Sequence, residues 1–343
     1  MASTDRKIWP TTPPERTRVV LHLPHHLAEV QDWFLPRVRA ARAQLTAVGI
    51  QSACFWWTDH NATLRKSEAM ADVAPAVDEA CDHRLVTFHS AVYPQHKLLV
   101  QELQARAPSR YKNRWMWYFS DVPFLLASRP LKAWLTGASV IWYIEWDVAW
   151  SGNLGTIITA LSPAANRFGL GMQSTHCRDC DDPAHSRWQG CILGNWSSFG
   201  HRGNPARRRT CSGTIQLLWY SPRLLDALYR RLVDRPGDVL YCEATAATAC
   251  YISTWGCRVD NFGKWAGAMF GKFGSNPWSL NNELVPPGNQ VSRLFHPVKA
   301  PAWEGRLPFR LKHLARTPTH SAPNGSAIAA ALRERDQRRY GWQ

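Results

Sequence analysis

Two acidic side chains lie two residues apart, directly after a run of apolar residues. The run Val140–Ile144 is branched or aromatic, which predicts a buried strand, and Glu145 and Asp147 follow where that strand ends. In an extended backbone, side chains two residues apart lie on the same side, roughly 7 Å apart along the chain. Two carboxylates that share one site need a nearby cation or a raised pKa. A hard divalent cation meets this need and can also bind a diphosphate, so the pattern predicts a metal site.

The sequence around this acidic pair resembles the metal-binding segment of GT-A type nucleotide-sugar glycosyltransferases. The apolar strand and the pair are followed by Gly152 and by the apolar run 154–161. In that family an Asp-x-Asp or Glu-x-Asp element at a strand end binds manganese or magnesium against the diphosphate of the sugar nucleotide. Here Glu145 replaces the first aspartate, a variant that the family pattern allows. The alternative is a solvated strand end, since Glu-x-Asp is common by chance.

The resemblance covers about residues 18–299 and implies roles for four further residues. Glu243 corresponds in place to a catalytic base, with a helix cap or first-turn acid as the alternative. His296 resembles a late third metal ligand, or else it is a packed loop residue. Asp59 would lie against the nucleotide base or ribose, or cap a turn. Lys299 would neutralise the diphosphate that leaves.

These residues together predict a metal-dependent glycosyltransferase with Mn²⁺ or Mg²⁺ as cofactor. It would transfer a sugar from a nucleoside-diphosphate sugar to a hydroxyl of a carbohydrate or glycoconjugate acceptor. One alternative is a metal-dependent phosphoester hydrolase, which would use the same acids with water as the nucleophile. The other is a zinc-stabilised basic protein that binds nucleic acid.

Charge and composition bear on the choice among these functions. The 343 residues carry a formal net charge of +15, which attracts polyanions or small anionic molecules. The Lys and Arg residues are spread along the chain, with local concentrations at 202–209 and 306–339. No recognised nucleic-acid-binding motif accompanies the charge, so we do not expect a nucleic-acid partner. Hydrophobic residues at 45% and charged residues at 20% are typical of a folded protein with an apolar core.

The nine cysteines include fragments of a zinc site. Cys177 and Cys180 have the two-residue gap that suits tetrahedral zinc, and Cys191 follows, but a second such pair is missing. An odd number of cysteines argues against a complete disulfide framework. We therefore expect free thiols, with a structural zinc at these three cysteines or a disulfide as alternatives.

The order of predicted elements indicates the fold. A strand at 18–23, a helix from Leu27 to Gly49 that Pro36 bends or interrupts, and a strand at 50–58 predict a right-handed parallel β-α-β unit. A further helix is expected over 121–137. We predict an α/β fold, a GT-A-like (Rossmann-like) mostly parallel mixed sheet flanked by helices, in one large domain.

The expected domain organisation has three parts. A disordered N-terminal segment occupies residues 1–17, and the catalytic domain occupies 18–299 with a cysteine- and arginine-rich insertion at 174–211. A basic, largely disordered tail follows at 300–343.

The sequence contains no apolar run of about 18 residues, so no membrane span is predicted. The first residues lack the apolar core of a signal peptide. The sequence taken as it stands predicts a cytoplasmic protein. The Golgi or another endomembrane compartment is the alternative if an N-terminal anchor is missing.

Overall fold

The computed structural model describes most of the predicted domain. The described residues are 16–24, 27–58, 73–81, 84–88, 96–107, 119–129, 131–162, 169–179, 182, 184, 209–234, 242–264, 266–278 and 292–298. The tail 300–343 lies outside them, as do most of the N-terminal segment and most of the insertion.

The chain alternates strands and helices through the first half and then becomes mixed. The strands are β1 (Thr17–Leu23), β2 (Gln51–Thr58), β3 (Arg84–Phe88), β4 (Val140–Ile144), β5 (Ala149–Ser151), β6 (Leu170–Met172), β7 (Thr175–Asp179), β8 (Arg209–Gly213), β9 (Leu217–Tyr220), β10 (Val259–Asn261), β11 (Phe270–Trp278) and β12 (Arg293–Val298). The helices are α1 (Leu27–Thr46), α2 (residues 73–80), α3 (Lys97–Arg106), α4 (Asp121–Ala127), α5 (Lys132–Leu135), α6 (Leu154–Leu161), α7 (Pro222–Asp234) and α8 (Cys242–Tyr251).

The main sheet contains seven strands within the described residues, in the order β10-β6-β9-β4-β1-β2-β3. Strand β1 pairs in parallel with β2 and β4, and β2 pairs in parallel with β3. Strand β9 is antiparallel to both of its neighbours, β4 and β6. The predicted α/β fold with a mostly parallel mixed sheet is therefore confirmed.

Two hydrophobic cores cover the two faces of this sheet. One core joins α1, α2 and α6 to the sheet and includes the fully buried rings of Trp56, Trp142 and Trp219. The other core joins α3, α4, α7 and α8 to the opposite face and includes Phe55 and Tyr143. Because both faces are covered, strand β4 is buried at every position, as its apolar run predicts.

Two local expectations were wrong. Pro36 does not interrupt helix α1, which continues through it with Pro36 exposed on its outer side. The helix predicted over 121–137 is divided into α4 and α5 around Arg129 and Pro130, since proline disfavours the helical conformation in the residue before it. Between β2 and β3, residues 73–80 form α2, whose apolar side packs on the α1 core.

The expectation of free thiols was also wrong, because six of the described cysteines form three disulfides. Among the cysteines that the structure describes, Cys242 alone forms no disulfide, and it is buried. The disulfides are Cys54–Cys81, Cys177–Cys211 and Cys250–Cys257.

Among the described helices, none combines the length and the apolar character that crossing a bilayer requires.

Candidate metal and active site

The two acidic residues lie where β4 ends at one edge of the main sheet. The Glu145 amide donates to the carbonyl of Gln216 at 2.8 Å, and the Val148 amide donates back to the Glu145 carbonyl at 3.1 Å. The chain therefore turns directly after the strand instead of remaining extended. Asp147 is only 5% exposed, whereas Glu145 is half-buried. The turn brings the two acids close together at a site that is partly shielded from solvent.

His296 reaches this site because β12 pairs with β5, the strand that follows the acidic turn. The pairing is antiparallel and places Phe295 opposite Ala149. Ser292 helps to align the two strands, since its hydroxyl accepts a hydrogen bond from the Asn153 amide at 3.2 Å. His296 is 7% exposed, and its Nε2 atom lies 3.4 Å from Oδ1 of Asp147.

Gly152 allows the close approach of these two segments. Its backbone has φ +67°, a region that glycine adopts without strain. A Cβ atom at this position would lie 2.6 Å from the Ser292 hydroxyl and 2.8 Å from the Ser292 Cα. A larger residue at position 152 would therefore push β12, and His296 with it, away from the acids.

Glu145, Asp147 and His296 form a cluster that could hold a metal ion, with one ligand atom of each within 4.8 Å of the others. We call these three residues the metal cluster. Two carboxylates and one imidazole are ligands that suit Mn²⁺ or Mg²⁺, and the imidazole favours Mn²⁺ of the two. The donor set therefore fits the cofactor that the sequence predicts.

Helix α1 holds residues 145–154, which we call the ligand loop, through hydrogen bonds to the backbone. Arg37 donates from Nη2 to the carbonyl of Val148 at 2.9 Å. Gln44 accepts from the Leu154 amide at 2.8 Å and from the Trp150 indole at 3.0 Å. These contacts fix the loop from the side opposite β12.

Arg37 is a buried cation next to the metal cluster. Burial lowers the pKa of Arg37 to about 10, and the nearby Asp147 carboxylate acts against this decrease. The guanidinium therefore remains charged at neutral pH. It also lies 5.6 Å from the ring of Phe34 and 5.7 Å from the ring of Trp150, so aromatic faces replace part of its lost hydration.

Glu243 lies in the first turn of α8. Burial raises the pKa of Glu243, whereas the nearby Gln216 side chain and the charge of His296 lower it. Glu243 therefore lies within electrostatic range of one residue of the metal cluster. A carboxylate with a raised pKa is a suitable proton acceptor near neutral pH.

Behind these acids lies a group of buried titratable residues. Burial raises the pKa of Asp121 to about 7, and it also raises the pKa values of Tyr143, Tyr220 and Cys242. Tyr143 contacts the Nδ1 atom of His22 through its hydroxyl at 2.8 Å. Since burial is the largest cause in each case, this side of the sheet favours neutral side chains.

The other predicted site residues have different outcomes. Asp59 and Lys299 lie outside the described residues, as do Cys180 and Cys191, so their roles remain predictions. The predicted zinc at Cys177, Cys180 and Cys191 is contradicted, because Cys177 forms a disulfide with Cys211 from the neighbouring strand. A sulfur in a disulfide is not the thiolate that zinc requires.

Sequence reasoning missed Arg37, Gln44 and Gln216. Arg37 and Gln44 are seven residues apart in a helical pattern, which places them on one side of α1. Their partners are backbone groups of the ligand loop, which leave no recognisable motif. Gln216 precedes the apolar run of β9, and its hydrogen bond with the Glu145 amide depends on tertiary structure alone.

Solved structures similar to this chain include glycosyltransferases. The mannosyltransferase Ktr4p from S. cerevisiae, in complex with GDP, is 9% identical, with a TM-score of 0.36 over 68% of this chain and 66% of that one. Core-mannan synthase A from Aspergillus fumigatus, in an Mn/GDP form, is 9% identical, with a TM-score of 0.27 over 66% of this chain and 70% of that one. Mouse xyloside xylosyltransferase 1 is 14% identical, with a TM-score of 0.30 over 68% of this chain and 79% of that one.

This chain thus spans 66% of the length of the yeast enzyme. No family model matches the chain, and no curated protein matches it. Because TM-scores of 0.27 to 0.36 support no conclusion about activity, we infer the function from the site itself.

Proposed function

We propose that this chain is a metal-dependent glycosyltransferase that moves a sugar from a nucleoside-diphosphate sugar to a hydroxyl acceptor. The metal cluster carries the proposal: Glu145, Asp147 and His296 offer ligand atoms within 4.8 Å of one another. The cluster lies at the carboxyl end of β4, which is parallel to β1. Open α/β sheets bind their ligands at this edge.

The metal cluster would bind Mn²⁺ or Mg²⁺ together with the donor diphosphate. A divalent cation at this place supplies positive charge that stabilises the departing nucleoside diphosphate. Asp147 and His296 are both buried, so their ligand atoms are held in place by the surrounding protein. Buried ligands lose little conformational freedom on binding, which favours a defined geometry of the diphosphate.

Glu243 would accept the proton of the acceptor hydroxyl as that oxygen attacks the anomeric carbon of the donor sugar. The new bond forms between the acceptor oxygen and the anomeric carbon, and the bond to the diphosphate oxygen breaks. The raised pKa of Glu243, caused mainly by burial, brings its proton affinity closer to neutral pH. The charge of His296 acts on the Glu243 carboxylate, which supports a role near the metal cluster.

A panel of nucleoside-diphosphate sugars tests this proposal. The panel, which includes GDP-mannose and UDP-xylose, is incubated with Mn²⁺ and with mono- and disaccharide acceptors, and release of the diphosphate is measured. We expect turnover of at least one donor, loss of turnover on chelation of the metal, and a sugar-acceptor product in the mass spectrum. Release of a nucleoside monophosphate and a sugar phosphate, without any such product, would support the phosphoester hydrolase instead.

Glu243→Gln provides the test of the base. It keeps the size of the side chain but removes its capacity to take a proton, so we expect kcat to fall by about 10²- to 10⁴-fold. Glu79→Gln is the matched control, since the Glu79 side chain is 72% exposed on α2. Absence of turnover and of calorimetric binding for every donor tested would refute the transferase.

The disulfides bear on where the protein acts. Disulfides form and persist in oxidising compartments, and three pairs occur among the described residues. They favour the endomembrane alternative over the cytoplasm. Non-reducing mass spectrometry of the protein purified from its own cells tests this, and fully reduced cysteines would contradict it.

A further inference from the structure

The ends of five neighbouring strands meet at the edge of the main sheet opposite to the metal cluster. Strands β1 and β4 begin there, with Thr17 opposite Val140. Strand β9 ends there, with Tyr220 opposite Ile141 on one side and Leu170 of β6 on the other. Strand β10 is parallel to β6 and begins at the same edge. Adjacent strands lie about 4.8 Å apart, so this edge is roughly 20 Å long from β1 to β10.

Basic side chains collect along this edge. They lie directly before β1, within β1, at the start of α5, at the start of α7 and directly before β10, and we call them the basic edge: Arg16, Arg18, Lys132, Arg223 and Arg258. Arg18 is half-buried, and the other four are exposed. The described segments that form this edge contain no Asp or Glu; they are residues 16–18, 131–140, 169–170, 220–224 and 253–259. These segments therefore do not neutralise the positive charge themselves.

Two tryptophan rings lie beside these cations. The Arg18 guanidinium lies 5.8 Å from the ring centre of Trp134, and the Arg223 guanidinium lies 4.6 Å from that of Trp255. Both tryptophans are half-buried, so part of each faces solvent next to a cation. Indole rings are enriched where proteins contact the headgroup level of a membrane.

An acid close by in α7 does not compensate this charge. Asp226, three residues after Arg223, pairs with Arg230 at 2.8 Å. The pKa of Arg18 is lowered, first by its own burial and then by the like charge of Arg16. Like charges that lie close together repel each other, and an anionic partner would relieve this repulsion.

We propose that the basic edge docks the protein on an anionic membrane surface, where it binds the charged headgroups of the lipids. The cations lie on strand ends and on the first turns of α5 and α7, so they form a broad patch. Linear polyanions such as single-stranded nucleic acids bind in grooves that follow their backbone, whereas the headgroups of a membrane form a plane. Because the metal cluster lies at the opposite edge of the sheet, a docked protein keeps its candidate active site open.

Co-sedimentation of the full chain with vesicles tests this proposal. Vesicles of equimolar phosphatidylcholine and phosphatidylserine should bind the wild type at low ionic strength, and vesicles of phosphatidylcholine alone should not. Added salt should weaken the binding, because it screens exposed charges. The double variant Arg223→Gln and Arg258→Gln should bind the mixed vesicles about 30-fold more weakly, since each cation near an anionic surface contributes about fivefold. Lys132→Gln, which changes neither ring contact, should weaken binding about fivefold.

The matched control is the double variant Arg39→Gln and Arg178→Gln, which removes the same net charge from α1 and β7, away from the basic edge. It should bind the mixed vesicles within about threefold of the wild type, because screening limits the effect of distant charges. All variants should keep the melting temperature of the wild type.

A wild type that does not bind the mixed vesicles would overturn the inference. Equal weakening in the two double variants would also overturn it, because binding would then follow net charge and not the basic edge. Binding of RNA that depends on Arg223 and Arg258, without binding of vesicles, would assign the basic edge to a linear polyanion instead. None of these measurements uses donor turnover, so their outcome is independent of the proposed function.

Discussion

The two faces of the main sheet support the candidate site in different ways. On the face covered by α1 and α6, Arg37 and Gln44 hold the ligand loop through hydrogen bonds to its backbone. On the face covered by α4 and α8, burial raises the pKa values of Asp121 and Glu243. The first face fixes the geometry of the metal ligands, and the second sets the proton affinity of the acids near them. The comparison indicates that position and protonation are controlled by separate parts of the molecule.

Asp147 is the buried carboxylate of the metal cluster, so its replacement should have the largest effect. Asp147→Asn keeps the size of the side chain but removes the negative charge. Loss of a residue that only supports a metal ligand lowers metal affinity roughly 10- to 100-fold. Asp147 would bind the metal itself, so we expect Mn²⁺ affinity to fall by more than this and donor turnover to fall with it. Calorimetric titration with Mn²⁺ measures the first quantity, and diphosphate release measures the second.

Asp226→Asn is the control for this variant, because Asp226 lies at the surface of α7 in an ion pair with Arg230. If Asp147→Asn retained both Mn²⁺ affinity and Mn²⁺-dependent turnover, the metal cluster would not be the metal-binding site.

Gln44→Leu tests the face that fixes geometry. It removes the acceptor of the Leu154 amide and the Trp150 indole, both of them partly buried. We expect the free energy of unfolding to fall by about 1–3 kcal/mol, because donors are left without a partner. Mn²⁺ affinity should fall about tenfold as the ligand loop loosens. Urea denaturation and Mn²⁺ titration measure the two effects.

Gln101→Leu on the exposed side of α3 is the control for Gln44→Leu. If Gln44→Leu lost stability but bound Mn²⁺ as tightly as the wild type does, the α1 face would not fix the geometry of the metal ligands.

Asp121 tests the face that controls protonation, and its effect is a change of stability with pH. Its pKa is raised from 3.8 to about 7 by burial, so between these values the folded state retains a proton that the unfolded chain has lost. The contribution of Asp121 to stability is therefore complete below the unfolded pKa and decreases as the pH rises through the folded pKa. Wild-type stability should lose up to about 1.4 kcal/mol per pH unit from this residue in that window.

Asp121→Asn does not titrate, so it should gain stability relative to the wild type as the pH rises from 4 to 7. Urea denaturation of both proteins at several pH values measures the difference, in which the contributions of other groups cancel. Asp226→Asn should remain parallel to the wild type. A constant difference between Asp121→Asn and the wild type would show that Asp121 does not hold its proton in the folded state.

Much of the fold and part of the site could be predicted from the sequence. The apolar run Val140–Ile144 has the predicted strand bounds, and Glu145 and Asp147 follow it at the sheet edge as expected. His296 joins them, although this prediction came from a resemblance and not from local pattern. The division of the helix predicted over 121–137 was missed, because the apolar periodicity continues past Pro130 and does not show where the helix ends.

By itself, the sequence determined which segments become strands and helices and which residue types could bind a metal, because periodicity and side-chain chemistry are local properties. Tertiary structure alone decided which partners these groups have. The pairing of β12 with β5 brings His296 to within 3.4 Å of Asp147, and the pairing of β7 with β8 joins Cys177 to Cys211 instead of to zinc. The raised pKa values of Asp121 and Glu243 likewise come from burial. Burial is produced by segments distant in the chain, so no short stretch of sequence encodes it.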